Sequence, residues 1–229
     1  LTASITDAAT GAGAGEVTWS FTADNADLTY LGAGESLTQV YAVTVTDENG
    51  ASSNQSVTIT LTGTNDAPVV TADSGSMDED SSTNGNVLAN DSDADINDNL
   101  TVANAGTFAL NYADVTVNAD GSWTATTNAA AQGLDDGETT SEEITIEVTD
   151  GTETVSTVLE ITVTGSNDAP TLEADSGTTD ETTEISGNVL TNDSDVDGEN
   201  IAVANAGTTA LTYVDVTVNS DGSWTATPN

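Results

Sequence analysis

Short runs in which apolar and polar residues alternate recur along the chain. Such alternation puts every second side chain on one face of a β-strand, whereas a helix would repeat its apolar positions every three or four residues. The inward-facing positions predicted in this way are Val43, Val45, Val57, Ile59, Leu61, Val115, Val117, Ile144, Ile146, Val148, Leu159, Ile161 and Val163. The pattern predicts an all-β protein with thin cores between sheets.

Segments rich in Gly, Asp and Asn separate these runs. Three of them end in glycine: ENG at 48–50, ADG at 119–121 and DDG at 135–137. Glycine accepts the positive φ that tight turns require. We therefore expect antiparallel hairpins.

Long stretches of the sequence occur twice. NDAPVVTADSGSMDEDSSTNGNVLANDSDAD, from Asn65, returns as NDAPTLEADSGTTDETTEISGNVLTNDSDVD from Asn167, and YADVTVNADGSWTAT returns as YVDVTVNSDGSWTAT. The distance along the chain between the two copies, from Asn65 to Asn167, is about the length of one immunoglobulin-like sandwich,. It predicts tandem antiparallel Greek-key β-sandwiches joined end to end. Residues 1–64 are the later part of one unit, 65–166 a complete unit, and 167–229 the earlier part of a third.

Three tryptophans lie on predicted strands in a sequence of mostly small residues. Trp19, Trp123 and Trp224 are expected to pack in the sandwich cores,. The alternative is a platform on which sugar rings stack.

Charge adds a constraint that the strand pattern does not. The chain has 39 Asp and Glu residues and no Lys, Arg or His, for a net charge of −39. Self-repulsion of this size destabilises a compact state unless cations are recruited from solution. Because many carboxylates recur at matching offsets, they indicate sites, and calcium suits an all-oxygen site.

The same composition excludes several classes of partner and chemistry. Nucleic acid and anionic membrane surfaces need Lys and Arg contacts. The chain has no cysteine, which rules out disulfides and thiolate metal sites. No apolar run approaches the roughly 20 residues of a membrane span. The start lacks the features of a signal peptide, so we expect a piece from within a longer extracellular chain.

The motifs around each NDAP resemble the bacterial cadherin-like repeats and the VCBS repeats of large secreted RTX-type adhesins. GNVLANDSDAD and GNVLTNDSDVDG are similar to the cadherin-type repeat, and WSFTADNADLTYLGAGESLTQVYAVTVTDENG is close to the VCBS pattern. The resemblance implies sandwiches in tandem at a bacterial cell surface, with calcium stiffening each junction.

The resemblance also implies ligand sets for the two junctions. At the first junction they are Glu35, Asn65, Asp66, Asp91, Asp93 and Asp150. At the second junction they are Glu79, Asp135, Glu138, Asn167, Asp168, Asp193 and Asp195. The alternative is that NDAP is a plain linker turn and that the acidic clusters are solvated loops.

Three kinds of function follow from these features. The leading hypothesis is a non-catalytic extender that holds distal binding domains away from the cell, with neighbouring repeats of the same chain as its partners. Alternatives are the subunit of a self-assembling filament or surface layer, with other copies as partners, and a carbohydrate-binding module. An enzyme is nearly excluded, because without His, Cys or Lys only paired carboxylates remain, as in glycoside hydrolysis,.

Overall fold

A computed structural model describes residues 2–7, 16–23 and 28–229 of the chain. Its contacts divide the chain into two compact units. The first unit is Leu1–Thr71, Leu88–Asn104 and Glu147–Thr157. The second unit is Ala72–Val87, Ala105–Ile146 and Val158–Asn229. The two ends of the complete repeat therefore belong to different units.

Two antiparallel hairpins open the chain. Strand β1 (Thr2–Asp7) pairs with β2 (Glu16–Ser20), and β3 (Ser36–Thr46) pairs with β4 (Ser52–Thr62). Gly50 has a φ of 84° in the β3–β4 turn, as the turn prediction requires.

Burial along this second hairpin is weaker than the alternation predicts. Val43, Val57, Ile59 and Leu61 are only half-buried. Val45 is 56% exposed, so its predicted inward position is wrong. The physical reason is that the β3–β4 sheet has two strands among the described residues and that Val45 lies next to its turn, where few neighbours surround it.

The complete repeat forms two four-stranded sheets. Its strands are β5 (Asp73–Asp78), β6 (Ser82–Asn86), β7 (Thr101–Val102), β8 (Gly106–Ala109), β9 (Ala113–Val117), β10 (Ser122–Thr127), β11 (Thr139–Thr149) and β12 (Thr154–Thr164). One sheet has the order β6-β10-β9-β8 and the other β5-β12-β11-β7. A short 3₁₀ turn, Ala131–Gly133, precedes β11. The all-β sandwich prediction is confirmed.

The core of this repeat follows the predicted alternation closely. The predicted inward residues on β9, β11 and β12 are all buried: Val115, Val117, Ile144, Ile146, Val148, Leu159, Ile161 and Val163. Full burial of such a side chain contributes roughly 1.5–3 kcal/mol. These strands therefore supply most of the hydrophobic stabilisation of the repeat.

Trp123 on β10 fills the space between β5 and β6 because two glycines leave room for its ring. A Cβ atom on Gly75 would lie under 3.0 Å from the indole, and one on Gly85 would lie 2.9 Å from it. Trp123 itself is only 3% exposed. The packing prediction is confirmed here, and the ring has no free face for a sugar.

The other two tryptophans differ in their burial. Trp224 is half-buried and lies against Gly177 and Gly187, which match the glycines beside Trp123. Trp19 is 50% exposed on β2, so the packing prediction is wrong for it. Strand β2 belongs to a sheet of two strands within the described residues, which gives the indole little cover.

One strand pair in the complete repeat is parallel. Strand β5 runs beside β12 with Leu159 opposite Asp73 and Thr164 opposite Asp78. These are the first and last strands of the repeat, and they point in the same direction. The chain therefore enters the sandwich at one end and leaves it at the other, which suits repeats joined in series.

The third repeat preserves one of the two sheets. Strands β13 (Ile185–Asn188), β14 (Gly207–Ala210), β15 (Val214–Val218) and β16 (Ser223–Pro228) have the order β13-β16-β15-β14. This copies β6-β10-β9-β8, with Trp224 opposite Val218 as Trp123 is opposite Val117. Equivalent sequences thus take the same register.

Candidate metal sites at the two linkers

Each NDAP linker is hydrogen-bonded to the acidic loop that follows it. At the first junction, around Asn65–Pro68, the backbone N–H of Asp66 donates to Asp95 Oδ2 over 2.8 Å. At the second junction, around Asn167–Pro170, Asp168 N–H donates to Asp197 Oδ2 over 2.7 Å. Each junction lies within one compact unit, the first in the first unit and the second in the second.

The acidic loops have the same internal geometry in both copies. Asp93 Oδ1 accepts the N–H of Asp95 at 2.9 Å, and Asp195 Oδ1 accepts that of Asp197 at 3.1 Å. Alternate aspartates therefore bond along the loop instead of pointing into solvent independently. The arrangement fixes the direction of each carboxylate.

The first aspartate of each loop anchors it to the chain that leaves the linker. Asp91 Oδ1 accepts the N–H of Thr71 at 2.9 Å, and Asp193 Oδ1 accepts that of Glu173 at 2.8 Å. Isolated β-bridges beside these bonds, such as the one between Val69 and Ser92, hold the same two segments. Asp91 and Asp193 thus orient the loop.

Three carboxylates converge at the first junction. Oxygens of Asp93, Asp98 and Asp150 lie within 4.8 Å of one another. The Asn65 side-chain amide donates to Asp150 Oδ2 at 2.9 Å and to the Asp66 carbonyl at 2.8 Å. The linker is therefore tied to this cluster through Asn65.

Glu35 approaches the same junction from the preceding repeat. Its Oε2 accepts the N–H of Gly32 at 3.2 Å, and its Oε1 accepts the side-chain amide of Asn97. Asn97 lies in the acidic loop, so this contact joins the LGAGE turn to the following repeat. Glu35 also contributes to the negative field around Asp98.

A different set of three carboxylates meets at the second junction. Oxygens of Glu79, Asp168 and Asp197 lie within 4.8 Å of one another. Glu79 is fully buried, and its Oε1 accepts both the backbone N–H and the hydroxyl of Ser166, at 3.0 and 2.8 Å. A residue near the start of one repeat therefore meets the linker and the acidic loop of the next.

Asp197 also belongs to a second group of three. Its carboxylate lies with those of Asp195 and Glu199 within 4.8 Å. One buried aspartate is thus shared by two neighbouring clusters. This concentrates five carboxylates around one linker without a cation from the chain to offset them.

Several of these buried oxygens have no hydrogen-bond partner among the described residues. They are Asp91 Oδ2, Asp93 Oδ2, Asp95 Oδ1, Glu79 Oε2 and Asp197 Oδ1. A buried carboxylate oxygen left without a partner costs free energy, so such groups are normally paired or coordinate a metal. Hard cations such as calcium take six to eight oxygen ligands. The donor set fits such an ion.

Three carboxyl groups of the clusters have pKa values that their surroundings shift from the ordinary value. Desolvation, followed by repulsion from neighbours led by Asp95, raises the pKa of Asp98 above its ordinary value. Desolvation and repulsion led by Asp197 likewise raise the pKa of Asp168. Burial acts to raise the pKa of Asp150 too, but hydrogen bonds from Asn65 and from backbone N–H groups hold that pKa below the ordinary value.

Four predicted ligands at the second junction are placed differently from Glu79, Asp168 and Asp195. Glu138 Oε2 accepts the N–H of Asp135 at 3.2 Å within the LDDGE turn, and both side chains are exposed. The Asn167 amide donates to the Asp168 carbonyl at 2.8 Å. With Asp193, these residues lie outside the convergent groups, and their role as ligands stays a prediction.

The structure adds carboxylates that the sequence reasoning missed. Asp95 and Asp197 are the third aspartates of the NDSDAD and NDSDVD loops, and they are the members that bind the linkers. Asp98 and Glu199 occupy matching places once the one-residue shortening of the second loop is allowed for. The alternating spacing that indicated Asp91 and Asp93 continues to Asp95, so the sequence pattern also predicts Asp95 as a candidate ligand.

The sandwich fold and the linker clusters together define a class, that of tandem β-sandwich repeats with acidic junctions. Residues 65–165 match the family model of the bacterial cadherin-like domain, and residues 167–229 match that of the bacterial Ig domain. Residues 65–165 are therefore a bacterial cadherin-like domain and residues 167–229 are similar to a bacterial Ig domain. The predicted cadherin-like resemblance is confirmed.

The comparison with solved structures found matches in two kinds of protein. The endo-fucoidan hydrolase MfFcnA4 from glycoside hydrolase family 107 is 16% identical, with 85% of this chain and 30% of that one covered and a TM-score of 0.31. Protocadherin Gamma B2 extracellular cadherin domains 1-5 is 14% identical, with coverage of 99% and 44% and a TM-score of 0.44. PcdhgB3 EC1-4 is 13% identical, with coverage of 87% and 64% and a TM-score of 0.41.

The chain spans less than a third of the fucoidan hydrolase and less than half of the first protocadherin. No curated protein matches it.

Bacterial cadherin-like and Ig domains are typical of extracellular, adhesin-type repeat regions and are typically non-catalytic. In the described part of the chain, no helix has the length and apolar character needed to cross a membrane.

Proposed function

We propose that this chain is a calcium-stiffened extender segment of a bacterial surface adhesin. The observation that carries the proposal is the recurrence, at both linkers, of buried carboxylate oxygens that have no hydrogen-bond partner among the described residues. If the acidic loops were simply solvated, their carboxylate oxygens would be exposed to water, whereas such oxygens are buried at equivalent positions of both loops. A hard cation gives them a partner.

The charge of the chain explains why the junctions need an ion. With a net charge of −39, consecutive repeats repel one another, and the linker clusters concentrate that repulsion where the repeats meet,. Calcium bound there would supply positive charge and bridge oxygens from both repeats. Loss of the ion would leave an acidic hinge that opens to separate its charges.

Each of the residues at the second junction has a distinct role in this proposal. Glu79 brings an oxygen from the preceding repeat, Asp168 one from the linker, and Asp197 one from the following repeat. Ser166 holds the other oxygen of Glu79 and so aims its carboxylate at the cluster. At the first junction, Asp93, Asp98 and Asp150 all come from the following repeat. Glu35, which accepts the Asn97 side-chain amide, is the carboxylate from the preceding repeat there.

The function that follows is mechanical. Neighbouring repeats of one long chain, divided at residues 1–64, 65–166 and 167–229, would be the partners, and distal binding domains would be held away from the cell. Extracellular calcium modules bind with dissociation constants of about 10⁻⁴ to 10⁻³ M. Sites of that strength stay occupied only where calcium is abundant, which suits an extracellular position.

Calcium titration by calorimetry tests the binding half of the proposal. We expect saturable uptake at both junctions with a dissociation constant at or below about 10⁻³ M. A chain in which Asp93→Asn and Asp195→Asn are combined should lose most of that uptake, because both substitutions remove a clustered charge. Equal titration of the parent and the double variant would show that the ions bind elsewhere.

Small-angle scattering tests the stiffening half. The maximum dimension and the Kratky profile should indicate an ordered, extended particle in millimolar calcium and a more variable one after chelation. Magnesium at the same concentration is the control for simple screening, because it keeps its waters and favours small octahedral sites. An unchanged scattering profile after chelation would refute the stiffening mechanism while leaving calcium binding intact.

A further inference from the structure

Two glycines lie at equivalent points between the last strand of a repeat and its linker. Gly63 follows β4 and Gly165 follows β12. Neither has a positive φ, so backbone conformation does not explain the choice of residue. Their surroundings do.

A side chain at Gly165 has no room. Its Cβ would lie 2.5 Å from the Leu134 carbonyl oxygen and 2.7 Å from Leu134 Cβ, with the Asp135 carbonyl as near. Ordinary contacts of this kind lie between 3.4 and 4 Å. At Gly63, a Cβ would lie under 3.0 Å from the carbonyl oxygens of Leu31 and Gly32. In both places the obstacle is backbone, which cannot rotate aside as a side chain can.

Hydrogen bonds fix this close approach. Gly165 N–H donates to the Glu138 carbonyl at 2.8 Å, and Gly137 N–H donates to the Gly165 carbonyl at 3.0 Å. Gly63 N–H donates to the Glu35 carbonyl at 2.9 Å. Each glycine is therefore held against the turn that carries a predicted acidic ligand.

The residues on either side of Gly165 both contact Glu79. Glu79 N–H donates to the Thr164 carbonyl at 2.9 Å, and Ser166 donates its N–H and hydroxyl to Glu79 Oε1. A displacement of Gly165 moves both contacts together. It would therefore turn the remaining oxygen of Glu79 away from Asp168 and Asp197.

We infer that Gly165 is a positioning residue for the ion site at the second junction. The inference rests on the proposed function, because it assigns a part in the same sites. Gly165 lets the chain pass close beneath the LDDGE turn, and this path aims Glu79 into the cluster. Any side chain at this position would misdirect a ligand that it does not touch.

The test is a calcium titration of the full chain with Gly165→Ala, in a background where Asp95→Asn weakens the first junction. We expect calcium affinity at the second junction to fall by roughly 10- to 100-fold, the usual effect of losing a group that orients a ligand. Gly133→Ala is the matched control, because its Cβ would meet nothing closer than the Val196 carbonyl at 3.6 Å. The control should titrate like its parent.

A second measurement separates positioning from general weakening of the fold. Glu79→Gln should lower calcium affinity in the parent background but have little further effect once Gly165→Ala is present, because the two act through one carboxylate. Full additivity of the two losses would overturn the inference. So would an unchanged affinity of the Gly165→Ala variant.

Ser166→Ala keeps the inference testable if Gly165→Ala does not fold. It removes the hydroxyl bond to Glu79 and adds no volume, so calcium affinity should fall by about tenfold, the value of one hydrogen bond to a charged group. A Ser166→Ala variant that binds as its parent does would refute the aiming of Glu79. If the parent chain takes up no calcium, the proposed function fails and the inference fails with it.

Discussion

The backbone N–H of Asp168 donates a 2.7 Å hydrogen bond to Asp197 Oδ2, and the second oxygen of Asp197 is buried without a hydrogen-bond partner among the described residues. Asp66 and Asp95 repeat the relationship at the first junction. One oxygen of each buried aspartate thus holds a linker and the other remains for a ligand.

Asp197→Asn should have opposite effects with and without calcium. The amide keeps the size of the side chain but removes a charge shared by two clusters, so calcium binding at the second junction should be lost. In chelator, relief of an unpartnered buried charge should raise the free energy of unfolding by about 1–3 kcal/mol. Calorimetric titration and chemical denaturation measure the two effects.

The matched control for this variant is Asp215→Asn, on the exposed face of β15. It makes the same change in net charge away from the junction and should alter neither measurement. If Asp197→Asn and Asp215→Asn behave alike, net charge rather than the cluster governs the response.

Glu79→Gln and Glu138→Gln should differ sharply, although the sequence indicated both as ligands. Glu79 is buried in the cluster, whereas Glu138 is exposed and bonds within its own turn. We expect at least a tenfold loss of calcium affinity for the first variant and a change of under threefold for the second, by the usual scale of ligand and surface changes. Titration of each variant in calcium measures this. Equal losses would place Glu138 among the ligands.

Gly75→Ala should destabilise the complete repeat by roughly 1–3 kcal/mol, the usual cost of overpacking a core. The added methyl group would meet the ring of Trp123, which has no space to retreat between β5 and β6. Urea denaturation followed by tryptophan fluorescence measures the loss. Ser76→Ala, at an exposed position of the same strand, is the control and should change stability by under about 0.5 kcal/mol,. A tolerated Gly75→Ala would contradict the packing around Trp123.

Stability in chelator should rise as the solution is acidified from neutral pH. The pKa values of Asp98 and Asp168 are raised, so the folded state binds protons more readily than the unfolded state in the region above their ordinary value of 3.8,. The cost of desolvating and repelling these charges is fully present above the raised pKa values and is relieved as pH falls through them. Melting temperature in chelator across this range measures the effect.

Further acidification should reverse the trend. The pKa of Asp150 is lowered, so its hydrogen bonds stabilise the fold above the ordinary value of 3.8 and that contribution is lost as pH falls below it,. In excess calcium the first rise should disappear, because protons and the ion compete for the same oxygens. A melting temperature in chelator that falls steadily from neutral pH would contradict this scheme.

The strands of the complete repeat were predictable because their information is local. Alternation alone identified the buried faces of β9, β11 and β12. It overstated the burial of Val45 and Trp19, since alternation does not say whether a second layer covers the face. It also missed the parallel pairing of β5 with β12, which depends on where the chain enters and leaves the sandwich.

The candidate sites were predictable only in part. The repeated loops and linkers indicated Asp93, Asp168 and Asp195, and the structure brings these into clusters. Asp98 and Glu199 were not predicted, because the two loops differ in length by one residue and these residues therefore do not align at the repeat offset of the other aspartates. Asp91 and Asp193 have the spacing of ligands but lie outside the convergent groups of the described residues, and their role as ligands stays a prediction.

The sequence by itself determined the strand pattern, the repeat and the excess of carboxylates, because each of these is written in the order and composition of neighbouring residues. Only the tertiary structure decided which carboxylates are buried together at the linkers. Glu79 and Asp197 are more than a hundred positions apart, and their meeting depends on the path of the chain through Gly165 and Asp168. Desolvation and repulsion act through space, so the chemistry of the junction appears only once that path is known.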